Sequence, residues 1–193
     1  GQNTSGQLGL GNTTNRSSPV QVGTLTTWLK VAAGYNFVIA VKTDGTLWSW
    51  GSGGNEKLGH NNTTTYSSPV QVGALTGWAT PAAGNSHSAA TTTSGALYTW
   101  GYNGYGQLGL GTTVIQSSPV QVGALTNWYQ IQLGSNLASS IKTDGTLWTW
   151  GRNAFGALAQ GNTTNYSSPV QVGSLTTWDS LAMSAALFGI KTS

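Results

Sequence analysis

Ser67-Ser-Pro-Val-Gln-Val-Gly73 occurs four times in the chain, as residues 17–23, 67–73, 117–123 and 167–173, at a spacing of 50 residues. A tryptophan follows each copy at the same distance, at Trp28, Trp78, Trp128 and Trp178. Further along the unit, Lys42-Thr-Asp-Gly-Thr-Leu-Trp-Ser-Trp-Gly51 returns as Lys142-Thr-Asp-Gly-Thr-Leu-Trp-Thr-Trp-Gly151. A looser version, Thr92-Thr-Ser-Gly-Ala-Leu-Tyr-Thr-Trp-Gly101, lies between them. Self-similarity at a fixed period means that one supersecondary unit is stacked on copies of itself, each burying a face its neighbour needs covered. The chain therefore reads as one domain, 1–193, made of units 1–50, 51–100, 101–150 and a truncated 151–193.

Each unit reads as short strands joined by turns. Phe37–Lys42 and Thr46–Trp50 are β-branched and aromatic, and Asp44-Gly45 separates them, which predicts a hairpin with a tight primed turn using positive backbone angles. Val20–Val22 and Trp28–Val31, bounded by Pro19, Gly23 and Gly34, supply two more strands. No stretch carries a capped 3.6-residue apolar period, so helix is expected to be scarce. Four strands per unit of about 50 residues, repeated, predict an all-β fold, a β-propeller of four tandem blades.

Composition narrows the function classes. Charged residues make up 6% of the 193 residues, so the surface must be covered by neutral hydroxyl and amide groups, while nine Trp and seven Tyr supply apolar area for folding. The net charge of +3 is spread along the chain without a basic patch, which argues against a nucleic-acid partner. Cysteine is absent, excluding disulfides and thiolate metal sites, and no apolar run reaches the length of a membrane span. The first residues lack the pattern of a signal peptide, and the missing initiator Met reads as a processed product or a piece of something larger.

The chain resembles a known family in Trp100-Gly-Tyr-Asn-Gly-Tyr-Gly-Gln-Leu-Gly-Leu-Gly111, followed by Pro119-Val-Gln-Val122, Gly134, and Thr143-Asp-Gly145 leading to Trp150-Gly151. These linked motifs are similar to the regulator of chromosome condensation repeats, and the resemblance runs the whole length of the chain. It implies a propeller of, usually, about seven blades of this size. Four blades are then an open arc, a part closed by another copy, or a portion of a larger ring. Ser193 aligns with Asp44 and Gly1 with Gly51, so one Gly-Thr-Leu-Trp-x-Trp strand is missing between them, which favours a fragment or an assembly. The family's Gly-x-x-His-(Ser/Thr) element survives only as Gly84-Asn-Ser-His87-Ser88, with Phe37 and Leu137 in place of the histidine in other units. Gly-Gln-Leu-Gly is intact at 6–9 and 106–109 but reads Glu56-Lys-Leu-Gly59 and Gly156-Ala-Leu-Ala159 elsewhere. The fourth unit is one residue short between Leu181 and Leu187 and lacks a counterpart of Gly34.

Chemistry-bearing side chains are few. Asp44 and Asp144 are accounted for by their turns, and Glu56 and Asp179 stand alone. His60 and His87 occupy unrelated repeat positions, so no metal site and no cofactor is expected, and the chain reads as a non-enzyme. Gly106, Gly109 and Gly111 lack the Lys-(Ser/Thr) of a phosphate loop. Trp48, Trp50, Trp148 and Trp150 could stack on sugars, but their place in a repeated strand points to packing. The polar loops 11–18 and 161–168 vary between units at Arg16, Tyr66, Gln116 and Tyr166, which are the candidate partner-binding loop tips. Asn12, Asn15, Asn62, Asn162 and Asn165 fall in glycosylation sequons that matter only in a secreted eukaryotic protein.

Low charge, abundant Thr, Asn and Gly, and little-changed repeats point first to a structural or adhesive binding module, extracellular or on a virion or cell surface, with a protein partner or self-assembly. The resemblance implies the alternative of a regulatory protein-interaction propeller, similar to GTPase exchange factors or enzyme inhibitors. A glycan-binding lectin is the third reading.

Overall fold

The computed structural model describes residues 1–24, 26–183 and 187–191, with side chains described as far as Ala182. The strands form three four-stranded antiparallel sheets and one two-stranded sheet. The first contains β1 (Trp28–Ala33), β2 (Phe37–Lys42), β3 (Leu47–Gly51) and β4 (Tyr66–Gln71) in that order. The second repeats it with β5 (Trp78–Ala83), β6 (His87–Thr92), β7 (Leu97–Gly101) and β8 (Gln116–Gln121). The third contains β9 (Trp128–Leu133), β10 (Leu137–Lys142), β11 (Leu147–Gly151) and β12 (Tyr166–Gln171). The last pairs β13 (Trp178–Met183) with β14 (Leu187–Lys191). The only helical turn among the described residues is a 3-10 turn at Gly54–Glu56. The shortened turn expected between Leu181 and Leu187, and the alignment at Ser193, fall outside the described residues.

The fourth strand differs from the reading of the sequence in two ways. It starts four residues earlier than the Val-Gln-Val core of the motif, at Tyr66, Gln116 and Tyr166, and it pairs with the Trp-x-Trp or Tyr-x-Trp strand that precedes it in the chain. Each four-stranded sheet thus takes three strands from one 50-residue unit and its fourth from the next. Residues 20–22 form no strand, because no Trp-x-Trp strand precedes them among the described residues. The ladder between β3 and β4 shifts register between Ser49 and Gly51, where Ser67, Ser68 and Pro69 lie opposite. Proline has no N–H to give a ladder and is tolerated at an irregular outer strand.

The hairpin turn is also of another type. Gly45 has φ +77° while Asp44 is not among the positive-φ residues, and the Gly45 N–H donates to Lys42 O at 2.9 Å. This is a type I turn closed by a glycine bulge rather than a primed turn. Asp44 contributes through its side chain instead, accepting from Thr46 N–H at 3.0 Å and Thr46 Oγ at 2.6 Å.

Apolar residues from facing sheets make the core. Phe37, Ile39, Val41 and Leu47 of the first sheet meet Trp78, Ala90 and Trp100 of the second, with Leu58 and Val72 between them. The second and third sheets meet through Ala82, Ala89, Leu97, Trp128, Ile131 and Trp150. Burying each such large side chain stabilises the fold by about 1.5–3 kcal/mol. Among the described residues Val31 of the first sheet is 67% exposed, whereas its counterparts Pro81 and Ile131, each with a described sheet before it, are buried.

Hydrogen bonds repeat at every junction as well. The indole N–H groups of Trp50, Trp100 and Trp150 donate to the carbonyls of Gln7, Lys57 and Gln107, each at 3.0 Å and 43 residues away. The loops that supply the Gln7 and Gln107 carbonyls are each held by a buried asparagine. Asn103 Nδ2 donates to Thr112 O and Val114 O, and its Oδ1 accepts from Leu108 N–H. Asn3 and Asn153 repeat the device, while Gly53 stands in its place in the second loop, where a Cβ would lie 2.0 Å from Thr64 O.

A glycine makes the close approach possible: a Cβ on Gly109 would sit 2.8 Å from Trp150 Nε1, and its φ is +71°. Gly173, with φ +57° and open space around it, is the control. Gly109→Ala should therefore cost about 1–3 kcal/mol more than Gly173→Ala in urea unfolding, since both strain the backbone but only the first displaces the indole. Trp150→Phe should cost a similar amount by leaving the Gln107 carbonyl unsatisfied. Equal losses for the two glycine variants would mean that the backbone angle alone demands glycine.

Candidate functional site

The hairpin end of each sheet carries a groove, and the grooves recur from sheet to sheet. In the first, Trp28 begins β1, Lys42 ends β2 and Trp48 lies near the start of β3, so antiparallel pairing brings all three side chains to one end. Residues 9–12 and 20–23 of the preceding segment form the other wall, with Pro69, around a cavity of about 650 Å³. The third sheet has the same arrangement around Trp128, Lys142 and Trp148, with a cavity of about 570 Å³. The second has a smaller one of about 300 Å³ around Trp78 and Tyr98.

Lysine sits between tryptophans in the two larger grooves. Lys42 Nζ lies 3.6 Å from the centre of the Trp48 ring and 4.9 Å from that of Trp28. Lys142 Nζ lies 3.5 Å and 4.6 Å from Trp148 and Trp128. The indole face attracts the cation through its quadrupole. A short relay fixes the tryptophan: Trp48 Nε1 donates to Thr46 Oγ at 2.7 Å, and Thr46 Oγ donates to Asp44. Trp148, Thr146 and Asp144 repeat it at 2.8 and 2.6 Å. The threonine hydrogen bonds hold both Asp44 and Asp144 below the usual carboxylate range. Burial pushes the Lys142 ammonium down, and the Asp144 charge opposes this in part.

Trp50 and Trp150 are core residues, as packing arguments require, while Trp48 and Trp148 are half-buried groove walls. The four variable positions are not gathered into one site. Arg16 lines the first groove and Gln116 the third-sheet groove. Tyr66 and Tyr166 accept hydrogen bonds from Asn62 and Asn162 at 3.4 and 2.9 Å. Tyr66, Gln116 and Tyr166 open β4, β8 and β12 and are half-buried, so they are strand residues rather than loop tips. The lysine–tryptophan pairing was not visible in the sequence, although the alternation of Lys42, Thr92 and Lys142 in one repeat position was the signal that carried it.

The two histidines serve the framework. His60 Nε2 lies 2.9 Å from Ser49 Oγ; that hydroxyl donates to Leu58 O, which makes His60 the donor. Burial lowers the His60 pKa. His87 fills the position of Phe37 and Leu137, is completely buried, and neither ring nitrogen has a hydrogen-bond partner. Among the described residues no group of three or more His, Cys, Asp or Glu side chains could hold a metal ion, and no helix is long and apolar enough to cross a membrane.

Comparison with known proteins agrees with this architecture. The family described as the regulator of chromosome condensation (RCC1) repeat matches residues 1–41, 44–91, 94–140 and 144–185, and a second model of that repeat matches 28–56. The structure is similar to human WBSCR16, with TM-score 0.89 and 23% identity over 100% of this chain and 52% of that one. It is similar to Prp20p from Saccharomyces cerevisiae, with TM-score 0.80 and 18% identity over 97% and 50%. Yeast RCC1 bound to Kap60 gives 0.74 and 18% over 88% and 44%. The chain thus spans about half the length of these relatives, and at these identities they show the fold, a β-propeller. No curated protein matches the chain significantly.

Desolvation lowers the His87 pKa from 6.5 to about 4, and the nearby Leu137 backbone offsets only part of this. Between those two values the unfolded chain binds a proton that the folded chain does not, so stability falls as pH drops from 6.5 towards 4. The loss from this residue amounts to about 3 kcal/mol. His60 adds a smaller effect of the same sign. His87→Leu, the residue found at 137, should flatten the pH dependence of urea unfolding across this window. An unchanged slope would place the acid sensitivity elsewhere.

Proposed function

Because the chain belongs to the regulator of chromosome condensation (RCC1) repeat family, we propose that it is a non-catalytic propeller scaffold that holds protein partners in a regulatory role. The observation that carries this reading is the division of labour within the repeat. The ties made by Trp50, Trp100 and Trp150 are alike, while the repeat position of the groove lysine changes from Lys42 to Thr92 to Lys142, and Arg16 in the first groove is matched by Gln116 in the third-sheet groove. A uniform frame with varied groove residues suits recognition of a protein surface.

The relatives support the same direction. Prp20p is described by its binding properties to Gsp1p and histones, and yeast RCC1 was solved bound to Kap60. The regulatory reading, in the manner of an exchange factor or enzyme inhibitor, draws on these proteins. The adhesive, extracellular or virion reading and the glycan reading draw nothing from them. The scarcity of titratable groups, four carboxylates and two histidines in 193 residues, leaves little for acid–base catalysis to use.

The test is cross-linking of the chain in soluble protein extract of its source, with the linked residues mapped by mass spectrometry and fluorescent-GDP release measured on any small GTPase captured. A discrete complex cross-linked through the grooves at Arg16 and Gln116 is expected, with faster GDP release if the role is that of an exchange factor. A chain that cross-links only to itself, or that only a glycan array retains, would overturn the reading.

A further inference from the structure

The two lysine grooves hold more hydrogen-bond donors than the protein itself uses. Lys42 and Lys142 are only 8% and 5% exposed, yet each ammonium meets indole faces without a hydrogen bond to any described residue, with the charge of Asp44 or Asp144 in the same turn acting on it from a distance. The indole face leaves the three N–H donors of an ammonium without an oxygen acceptor. The carboxylates in the same turns, Asp44 and Asp144, are taken up by Thr46 and Thr146. Trp28 and Trp128, which line these grooves, have buried indole N–H groups without an acceptor. In the first groove Arg16 adds a buried Nε, also without an acceptor.

The middle groove is a control built into the chain. There Thr92, Ser94, Ala96 and Tyr98 replace Lys, Asp, Thr and Trp together, and every one of these deficits is gone. Thr92 Oγ pairs with Ser94 Oγ at 2.9 Å, Tyr98 OH donates to Gln121 at 3.2 Å, and the Trp78 indole donates to Leu75 O at 3.1 Å. The donor surplus therefore follows the Lys-x-Asp-x-Thr-x-Trp set and not the groove as such.

We propose that the grooves at Lys42 and Lys142 each take a carboxylate side chain, Glu or Asp, from an extended acidic segment of a protein partner. The charge is complementary, since a groove ammonium that makes no hydrogen bond within the protein gains a short charge-assisted bond from a carboxylate. A single cation without a guanidinium fork or a nest of N–H groups suits one carboxylate better than a phosphate. Val120, Val122, Leu110 and Pro169 line the third-sheet groove beside the lysine and fit apolar residues flanking the acid. Two like sites 100 residues apart in the chain can engage one partner twice, which raises avidity. Arg16 makes the first groove the tighter of the two. The assignment rests on the protein-scaffold reading and names where, and to what chemistry, that scaffold binds.

The probe is the capped tripeptide N-acetyl-Val-Glu-Val-amide, with the Gln peptide as its neutral match, titrated into the isotope-labelled chain while the indole N–H signals of Trp48 and Trp148 are followed. The Glu peptide should shift both signals saturably and bind at least about tenfold more tightly than the Gln peptide. Lys142→Thr, which installs the residue native at 92, should abolish the Trp148 response and leave that of Trp48. An unchanged Trp150 indole signal reports that the fold is intact. The combined Thr92→Lys, Ser94→Asp, Ala96→Thr and Tyr98→Trp variant should gain a third site. Equal binding of the two peptides, no saturable shift, or a response that survives Lys142→Thr would overturn the assignment. If the peptide fails while the protein complex still forms in the cross-linking experiment, the groove chemistry falls and the scaffold reading stands. If the peptide binds as expected and no protein is captured, the scaffold reading is the one that fails.

Discussion

A buried indole N–H without an acceptor is costly, and the second tryptophan of each Trp-x-Trp or Tyr-x-Trp strand finds its acceptor on a neighbouring part of the repeat rather than on its own sheet. Trp50, Trp100 and Trp150 each reach a carbonyl 43 residues back, on the Gln-Leu-Gly or Lys-Leu-Gly loop. The loop can come that close only because a glycine faces the ring at Gly9, Gly59 and Gly109. Two further bonds follow at each junction. Gly11 N–H donates to Ser67 O, and Trp78 N–H donates to Gly45 O on the preceding sheet's hairpin. The glycines, the tryptophans and the irregular Ser-Ser-Pro strand are thus parts of one contact, and Asn61, in the place of Gly11, keeps it by taking a positive φ of 59°.

Polar groups inside the array obey the same accounting. Ser49, Thr99 and Thr149 are buried, and each donates its hydroxyl to the carbonyl of Leu58, Leu108 or Leu158. Asn3, Asn103 and Asn153 are completely buried because each closes a loop of about a dozen residues onto itself. His87 and Ser139 depart from this accounting, and His87 is a polar ring in a place that other units fill with Phe37 and Leu137. A chain with 6% charged residues can build such an interior because neutral hydroxyl and amide groups satisfy the backbone without the desolvation cost of ions.

The constant junctions free the hairpin ends to vary. The Lys-x-Asp-x-Thr-x-Trp set in the first and third sheets changes as a block in the second, and the satisfaction of its hydrogen bonds changes with it. Variation confined to a few surface-facing positions on a repeated frame is how solenoid and propeller arrays acquire distinct binding faces without altering their packing.

Much of this was legible from residue order alone. A period of 50 with Trp-x-Trp strands, Asp-Gly turns and Pro-Val-Gln-Val segments determined four repeated β units, because side-chain period and turn chemistry are local properties. The sheet to which a segment belongs is not local. Residues 66–71 join the sheet before them because their backbone partner, β3, precedes them, and residues 20–22 form no strand for want of such a partner. The turn type at Asp44-Gly45 likewise depended on which residue took the positive angle. Pairing of Lys42 with Trp28 and Trp48, and the exposure of Val31 against the burial of Ile131, follow from which strand ends and which faces meet in space. Contacts between groups far apart in the chain are set by packing geometry, and only the tertiary structure decides them.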